Sequence, residues 1–74
     1  MSRLPAVKPR VVIKVLKKQG FRIDHQTGSH VIMEKPGYPL IITVPFHNRD
    51  LKKGTLRAIL KQAKISIKDF INLL

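Results

Sequence analysis

A histidine directly after a glycine turn is the residue of this sequence best suited to chemistry. Thr27, Gly28 and Ser29 lead into His30. Glycine reaches backbone conformations with positive φ that other residues avoid, so Gly28 can reverse the chain and fix the direction of His30. Because histidine titrates nearest to neutrality, His30 is a candidate general acid or base. A lone histidine in a small domain is more often structural, so the rest of the chain must decide.

The other two histidines have weaker claims to a catalytic role. His25 ends a predicted strand near the turn, where it is either simply exposed or a second proton-transfer group. His47 lies in a predicted loop, where we favour a hydrogen bond to the loop over catalysis. The three histidines lack metal-ligand spacing and the four carboxylates are scattered, so we expect no metal site and no cofactor.

The composition predicts a soluble chain with an anionic partner. The 74 residues suffice for one domain, 1–74, and without cysteine no disulfide or thiolate metal site can support it. The formal charge of +11 is spread along the chain, which favours nucleic acid over a membrane surface. The sequence has no secretory signal and no apolar run of the roughly 20 residues that a membrane span needs. We therefore expect a cytoplasmic protein.

Residues 1–6 are expected to form a flexible lead-in. A helix is predicted from Pro9, which suits a first helical turn, to about Gln19. At 100° per residue, one side of this helix is apolar through Val12, Val15 and Leu16. The opposite side is basic and contains Arg10, Lys14, Lys17 and Lys18. The first helix is therefore expected to pack on one side and bind phosphate on the other.

Three antiparallel strands are predicted next, in a meander. Residues 21–25 alternate with Phe21 and Ile23 toward the core, and a second strand runs from Ser29 to about Lys35. An unpaired, buried Glu34 would be costly, so the face of the second strand that carries His30 is expected to be open. Residues 40–44 form a third strand that ends at Pro45 and is apolar enough to be central or partly covered on both faces.

Two more helices complete the predicted two-layer α+β domain. Gly54 and Thr55 open the second helix, with Thr55 as its N-cap. Its packing side contains Leu56, Ile59, Leu60 and Ala63, and its basic side contains Arg57, Lys61 and Lys64. Ser66 and Asp69 form a capping box that starts a short last helix, whose core contacts are predicted for Phe70, Leu73 and Leu74.

Most of the chain, from about Val7 to Leu74, resembles the HicA toxin family. The residues that carry the resemblance are Gly20-Phe21, Gly28-Ser29-His30, Thr43-Val44-Pro45 with His47, Leu51-Lys52, Gly54-Thr55-Leu56-Arg57, Ile59-Leu60, Gln62-Ala63 and Ile65-Ser66. The resemblance implies a double-stranded-RNA-binding-like α-β-β-β-α fold and a toxin that cleaves mRNA without a metal. It also implies a HicB-type antitoxin that covers the active site, and it makes His30 the catalytic histidine. Lys64 departs from the family, which usually has glycine there.

Cleavage of RNA is chemically consistent with these residues. RNA carries its own nucleophile, the 2′-hydroxyl, so a base and phosphate-neutralising cations can suffice. The residues predicted to bind RNA are Lys14, Lys17, Lys18, Ser29, Arg57 and Lys61. Two alternatives remain open at this point: a non-catalytic RNA-binding module of the same fold, and a degenerate toxin that only binds its antitoxin.

Overall fold

The computed structural model describes residues 3–74, which form a three-stranded sheet and three helices. The elements in chain order are α1 (Pro9–Lys18), β1 (Arg22–Thr27), β2 (His30–Glu34), β3 (Ile42–Pro45), α2 (Lys53–Gln62) and α3 (Ile67–Leu73). Both strand pairs are antiparallel, and the strand order is β1-β2-β3. The predicted α+β class, with the α-β-β-β-α order and a short C-terminal helix, is confirmed.

The core lies between the sheet and the helices, on one face of the sheet. The sheet contributes Val31, Met33, Ile42 and Val44. The packing sides predicted for α1 and α2 are buried, and Phe70 of α3 is fully buried with them. Burying each large apolar side chain contributes about 1.5–3 kcal/mol, and this packing holds the disulfide-free domain together.

The ends of the chain differ from the predictions. Residues 1–6 were predicted to be a flexible lead-in, but Leu4 is buried in the core. Met1 and Ser2 lie outside the described residues. At the other end, Leu73 packs partly against the core, but Leu74 is 51% exposed. The prediction of core contact was therefore wrong for Leu74, which follows the last helical turn.

The third strand is an edge strand, and the prediction that it is central or partly covered on both faces was wrong. β3 pairs only with β2, and its residues alternate between buried Ile42 and Val44 and exposed Thr43. Leu40 and Ile41 precede the strand and are exposed. Only one face of β3 is therefore covered by helices.

The first strand contains a β-bulge that the alternating sequence did not predict. Ile23 pairs with Met33 but His25 pairs with Ile32, so Asp24 is the extra residue. A bulge shifts the alternation by one residue. As a result, His25 lies on the face of the sheet that carries Ile32 and His30. Ile23, predicted to be buried, shares the face of Met33 but remains 43% exposed at the uncovered edge.

The turn between β2 and β3 agrees with the prediction. Tyr38 N donates to Lys35 O at 3.0 Å, and Gly37 has a φ of 77°, as the third residue of a type II turn requires. The Tyr38 hydroxyl then donates to the Gln62 carbonyl at the end of α2. This bond connects the far end of the sheet to the helical layer.

The two long helices end in the same motif with different residues. After α1, Phe21 N donates to Leu16 O and Gly20 N to Lys17 O, both at 3.0 Å, which is a Schellman motif with Gly20 at φ 95°. After α2, Ile65 N donates to Leu60 O and Lys64 N to Lys61 O in the same pattern. Here Lys64, which stands where the family usually has glycine, takes the left-handed position with φ 55°.

Replacing Lys64 with glycine should therefore stabilise the fold. A left-handed conformation costs a residue with a Cβ about 1–2 kcal/mol, and the greater freedom of glycine in the unfolded chain removes part of that gain. We expect Lys64→Gly to raise the free energy of unfolding by about 0.5–1 kcal/mol, measured by urea denaturation. Lys61→Gly, inside the same helix, should lower it by about 1 kcal/mol. Equal destabilisation by both changes would contradict the assignment of strain to Lys64.

The second helix starts earlier than the prediction placed it. Its N-cap is Lys52, without a side-chain capping bond, so the prediction that Thr55 is the N-cap was wrong. The buried Leu51 donates its N–H to Val7 O at 2.9 Å, which fixes the chain just before the helix. By contrast, Ser66 is the N-cap of α3 as predicted, and its Oγ accepts from Asp69 N at 3.0 Å.

Candidate functional site

His30 is the first residue of β2 and follows a two-residue turn. Thr27 and His30 are paired across this turn, in which Gly28 has a φ of 55° and Ser29 has no positive φ. These signs are those of a type II′ turn, whose twist matches that of the flanking strands. His30 is exposed, while Val31 beside it is buried. The predicted open position of His30 is confirmed.

His25 lies on the same open face as His30. His25 pairs with Ile32 and Thr27 pairs with His30, so the two histidines are diagonal neighbours on adjacent strands. Diagonal neighbours in an antiparallel pair lie about 7–8 Å apart. His25 Nδ1 lies 2.6 Å from Asp24 Oδ2. A carboxylate accepts from a protonated Nδ1, so Nε2 is the atom of a neutral His25 that can accept a proton.

The loop that follows β3 reaches the same end of the sheet. His30 pairs with Pro45 at the end of β3, and Phe46 N donates to Ser29 O at 2.6 Å. Pro45 in turn lines a cleft of about 450 Å³ between this loop and the start of α2. The other residues of this loop cleft are His47, Arg49, Asp50, Leu51, Lys52 and Thr55. The strand pairing therefore places His30 beside a cleft that contains cations.

His47 makes the kind of loop hydrogen bond that the sequence suggested. Its Nδ1 accepts from the backbone N–H of Arg49 at 3.1 Å. The neutral ring then carries its proton on Nε2. His47 also lies between two clefts, since it lines both the loop cleft and a smaller one of about 150 Å³ with Lys8, Arg10, Phe46 and Asn48.

A third depression, the α1 groove, runs between α1 and the edge of the sheet. It has a volume of about 330 Å³ and is lined by Arg10, Ile13, Lys14, Lys17, Ile23, Gln26, Val31 and Phe46. Arg10 and Phe46 line both this groove and the smaller cleft. The three depressions therefore adjoin one another through shared residues.

The structure brings together some of the residues predicted to bind RNA and separates others. Lys14 and Lys17 line the α1 groove, and Ser29 lies in the turn bonded to Phe46. Lys18, at the C-terminal end of α1, instead donates from Nζ to Leu73 O at 2.7 Å. Arg57 and Lys61 are exposed on α2 and line none of the three depressions. Their role in RNA binding stays a prediction.

Five residues of this region were not among the predicted site residues: Lys8, Arg10, Phe46, Arg49 and Lys52. The meander itself contained a signal for the three that follow the third strand, Phe46, Arg49 and Lys52. In three antiparallel strands, the first turn and the end of the third strand meet at one end of the sheet. The loop after Pro45 therefore had to lie near Gly28 and Ser29.

Few carboxylates balance the positive charge of the domain. Within residues 3–74, Arg22 is the only Lys or Arg side chain that forms an ion pair, with Glu34 at 3.1 Å. Both side chains of this pair are partly exposed, so it adds little to stability. The same residues contain no group of three His, Cys, Asp or Glu side chains suited to holding a metal ion. None of the helices described is long and apolar enough to span a bilayer.

Comparison with known proteins gives a family match. Among curated proteins, no sequence matches this chain. The family model described as the HicA toxin of bacterial toxin-antitoxin systems matches residues 9–65, from the start of α1 through the turn after α2. This range covers more than half of the chain and includes the histidine turn, the sheet and both long helices. The chain therefore belongs to the HicA family of toxins from bacterial toxin–antitoxin systems.

Proposed function

We propose that this toxin is an endoribonuclease that cleaves mRNA without a metal ion, with His30 as general acid and base. The observation that carries the proposal is the placement of His30. It is exposed on the open face of the sheet, fixed by the Gly28–Ser29 turn, and paired with Pro45 at the edge of a cleft lined by cations. A rigid histidine next to phosphate-binding cations is what RNA transesterification needs.

In the proposed reaction, His30 removes the proton from a 2′-hydroxyl of the RNA. The 2′-oxygen attacks the adjacent phosphorus, and the bond from phosphorus to the 5′-oxygen breaks. The products are a 2′,3′-cyclic phosphate and a 5′-hydroxyl. The departing 5′-oxygen takes up a proton from water or from a protonated histidine, which is either His30 itself or His25, its diagonal neighbour on the same face. The proton that His30 took up is passed to this oxygen or released to water, so one proton is removed and one is returned.

Cations of the loop cleft are proposed to neutralise the phosphate during this reaction. Arg49 and Lys52 line the cleft beside Pro45, and Thr55 lies in the first turn of α2. That turn contains no acidic residue, so its unpaired N–H groups are available to an anion. Charge developing on the phosphate oxygens would be stabilised most where water is excluded.

A non-catalytic RNA-binding module of the same fold is the alternative function. Within residues 3–74, no side chain forms a hydrogen bond with the ring of His30, so its orientation depends on the backbone alone. Catalytic bases are commonly oriented by a third group. The nuclease proposal accounts for this arrangement as well, because catalytic hydrogen bonds often tighten only when substrate is bound.

Incubation of the purified chain with RNA and excess chelator tests the proposal. We expect cleavage at an undiminished rate, with cyclic phosphate and 5′-hydroxyl ends identified by mass spectrometry. Cleavage that needs added Mg²⁺ and leaves 5′-phosphate ends would contradict the mechanism. Binding without cleavage under all conditions would favour the RNA-binding module.

The antitoxin partner is proposed to be of the HicB type and to cover His30 with an acidic surface. The open sheet face and the largely unpaired cations around it suit such a surface. An antitoxin that binds the folded toxin and not the unfolded chain should raise the apparent free energy of unfolding. The increase is about 2.7 kcal/mol when the free antitoxin concentration is 100 times the Kd. Thermal unfolding of toxin and complex measures this, and a solved complex that leaves His30 open to solvent would contradict direct blocking.

A further inference from the structure

We propose that Phe46 is a stacking platform that holds an unpaired base of single-stranded RNA at the end of the sheet where the histidine turn lies, an inference that rests on the proposed RNA substrate. Phe46 N donates to Ser29 O at 2.6 Å, so the backbone of Phe46 is held at the turn that precedes His30. A base stacked on this ring would place its own phosphates within the charged region at that end of the sheet.

Phe46 is unusual among the phenylalanines of the chain. Phe21 and Phe70 are 4% and 0% exposed, whereas Phe46 is 41% exposed. Phenylalanine has no polar group that gains from contact with water, so an exposed ring contributes little to folding. Base–aromatic stacking contributes to binding because every base has a π face, and this is how single strands are commonly held.

The charges around Phe46 form a continuous path for a strand, which we call the basic track. It is defined by the cations that line the three adjoining depressions: Lys17, Lys14, Arg10, Lys8, Arg49 and Lys52. Phe46 lies at the junction, since it lines both the α1 groove and the smaller cleft. Asp50 is the only carboxylate that lines any of them. This charge suits a polyphosphate chain.

The combination of an exposed aromatic ring with a cationic groove favours a single strand over a duplex. Base faces are hidden inside a duplex, which offers proteins its phosphates and 2′-hydroxyls instead. Ile23 and Val31 add apolar surface to the α1 groove, which suits bases better than phosphates. The basic track is therefore assigned to unpaired RNA, although the resemblance in fold is to proteins that bind double-stranded RNA.

A single tryptophan can report the stacking directly. The chain contains no tryptophan, so Phe46→Trp creates a unique fluorophore at the platform. We expect an uncleavable 2′-O-methyl single strand to quench this fluorescence, and the same strand with abasic residues to quench much less. Equal quenching by the abasic strand, or quenching by an acidic peptide but not by RNA, would overturn the assignment.

Affinity measurements give the second test. Loss of one stacking contact costs about 5- to 150-fold in Kd, so Phe46→Ala and Phe46→Leu should both bind the single strand more weakly by a factor in that range. Leu40→Ala is the matched control, because Leu40 is 45% exposed and lines none of the three depressions. Its affinity should equal that of the parent. Phe46→Ala within twofold of the parent would overturn the proposal.

These results separate the stacking proposal from the nuclease proposal. If the parent cleaves RNA and Phe46→Ala binds the uncleavable strand as tightly as the parent, stacking is refuted while the nuclease activity stands. If binding depends on Phe46 but the parent never cleaves, stacking is supported and the nuclease activity fails.

Discussion

An RNA with a 2′-deoxy nucleotide at the cleavage site should not be cut at all. The proposed nucleophile is the 2′-hydroxyl of the substrate, and the domain offers no metal-ligand cluster within residues 3–74 that would activate water instead. Removing that one oxygen therefore removes the nucleophile, whereas phosphate contacts are kept. Cleavage sites are first mapped on an all-ribose strand, and the substituted strand is then compared by gel electrophoresis.

The matched control has the deoxy substitution one nucleotide away from the cleavage site. That strand should be cut at nearly the rate of the all-ribose strand, because its reacting 2′-hydroxyl remains. Cleavage at the deoxy position itself would mean that water is the nucleophile, and the role proposed for His30 would have to change accordingly.

Replacing His30 with alanine should abolish RNA cleavage and toxicity while the fold and RNA binding remain nearly intact. Loss of a general acid–base group commonly lowers a rate by about 100- to 10,000-fold. His30 is exposed, so its truncation leaves no core cavity, and we expect a stability change within about 0.5 kcal/mol. Growth after induced expression and cleavage of total RNA measure the loss, and urea denaturation checks the fold.

Alanine at the other histidines provides the comparison. His25→Ala should reduce the rate less than His30→Ala, because water can replace it as the proton donor to the leaving oxygen. His47→Ala removes the side chain that accepts the hydrogen bond from the Arg49 N–H, so we expect a mild reduction of the cleavage rate through a less well-ordered loop. A loss at His25 as large as that at His30 would make the two histidines a catalytic pair.

The helix ends and the histidine turn could be predicted because local chemistry decides them. Gly20 after α1, Gly28 before His30 and Ser66 before α3 are residues whose backbone freedom or side-chain oxygen favours one structure. Lys64 was noted only as a departure from the family's glycine, and the structure shows that the Schellman turn keeps its left-handed conformation at this residue.

Two predictions failed where contacts distant in sequence decide the structure. Thr55 is a good N-cap by type, but the bond from Leu51 N to Val7 O fixes the chain earlier and the helix starts at Lys53. The alternation of Phe21, Ile23 and His25 gave no sign of the bulge at Asp24, which arises from pairing with β2. The bulge matters for the site because it moves His25 to the face of His30.

The candidate site was only partly predictable for a related reason. Helical periodicity found Lys14 and Lys17 but could not separate them from Lys18, which bonds to Leu73 O in another element. Phe46 and Arg49 lie in a loop without periodicity, so only the topology of the meander places them at the end of the sheet where His30 begins its strand. The order of the strands alone predicts that this loop lies at the same end of the sheet as the histidine turn.

The most direct test of the proposed catalytic role is the single-turnover rate of cleavage by the parent and by His30→Ala. Protein in saturating excess over a mapped RNA strand, with chelator present, removes differences in affinity from the comparison. We predict that the rate constant of the variant is lower by at least about 100-fold, with unchanged binding of the uncleavable strand. A folded His30→Ala variant that cleaves at near the parent rate would contradict the catalytic role of His30.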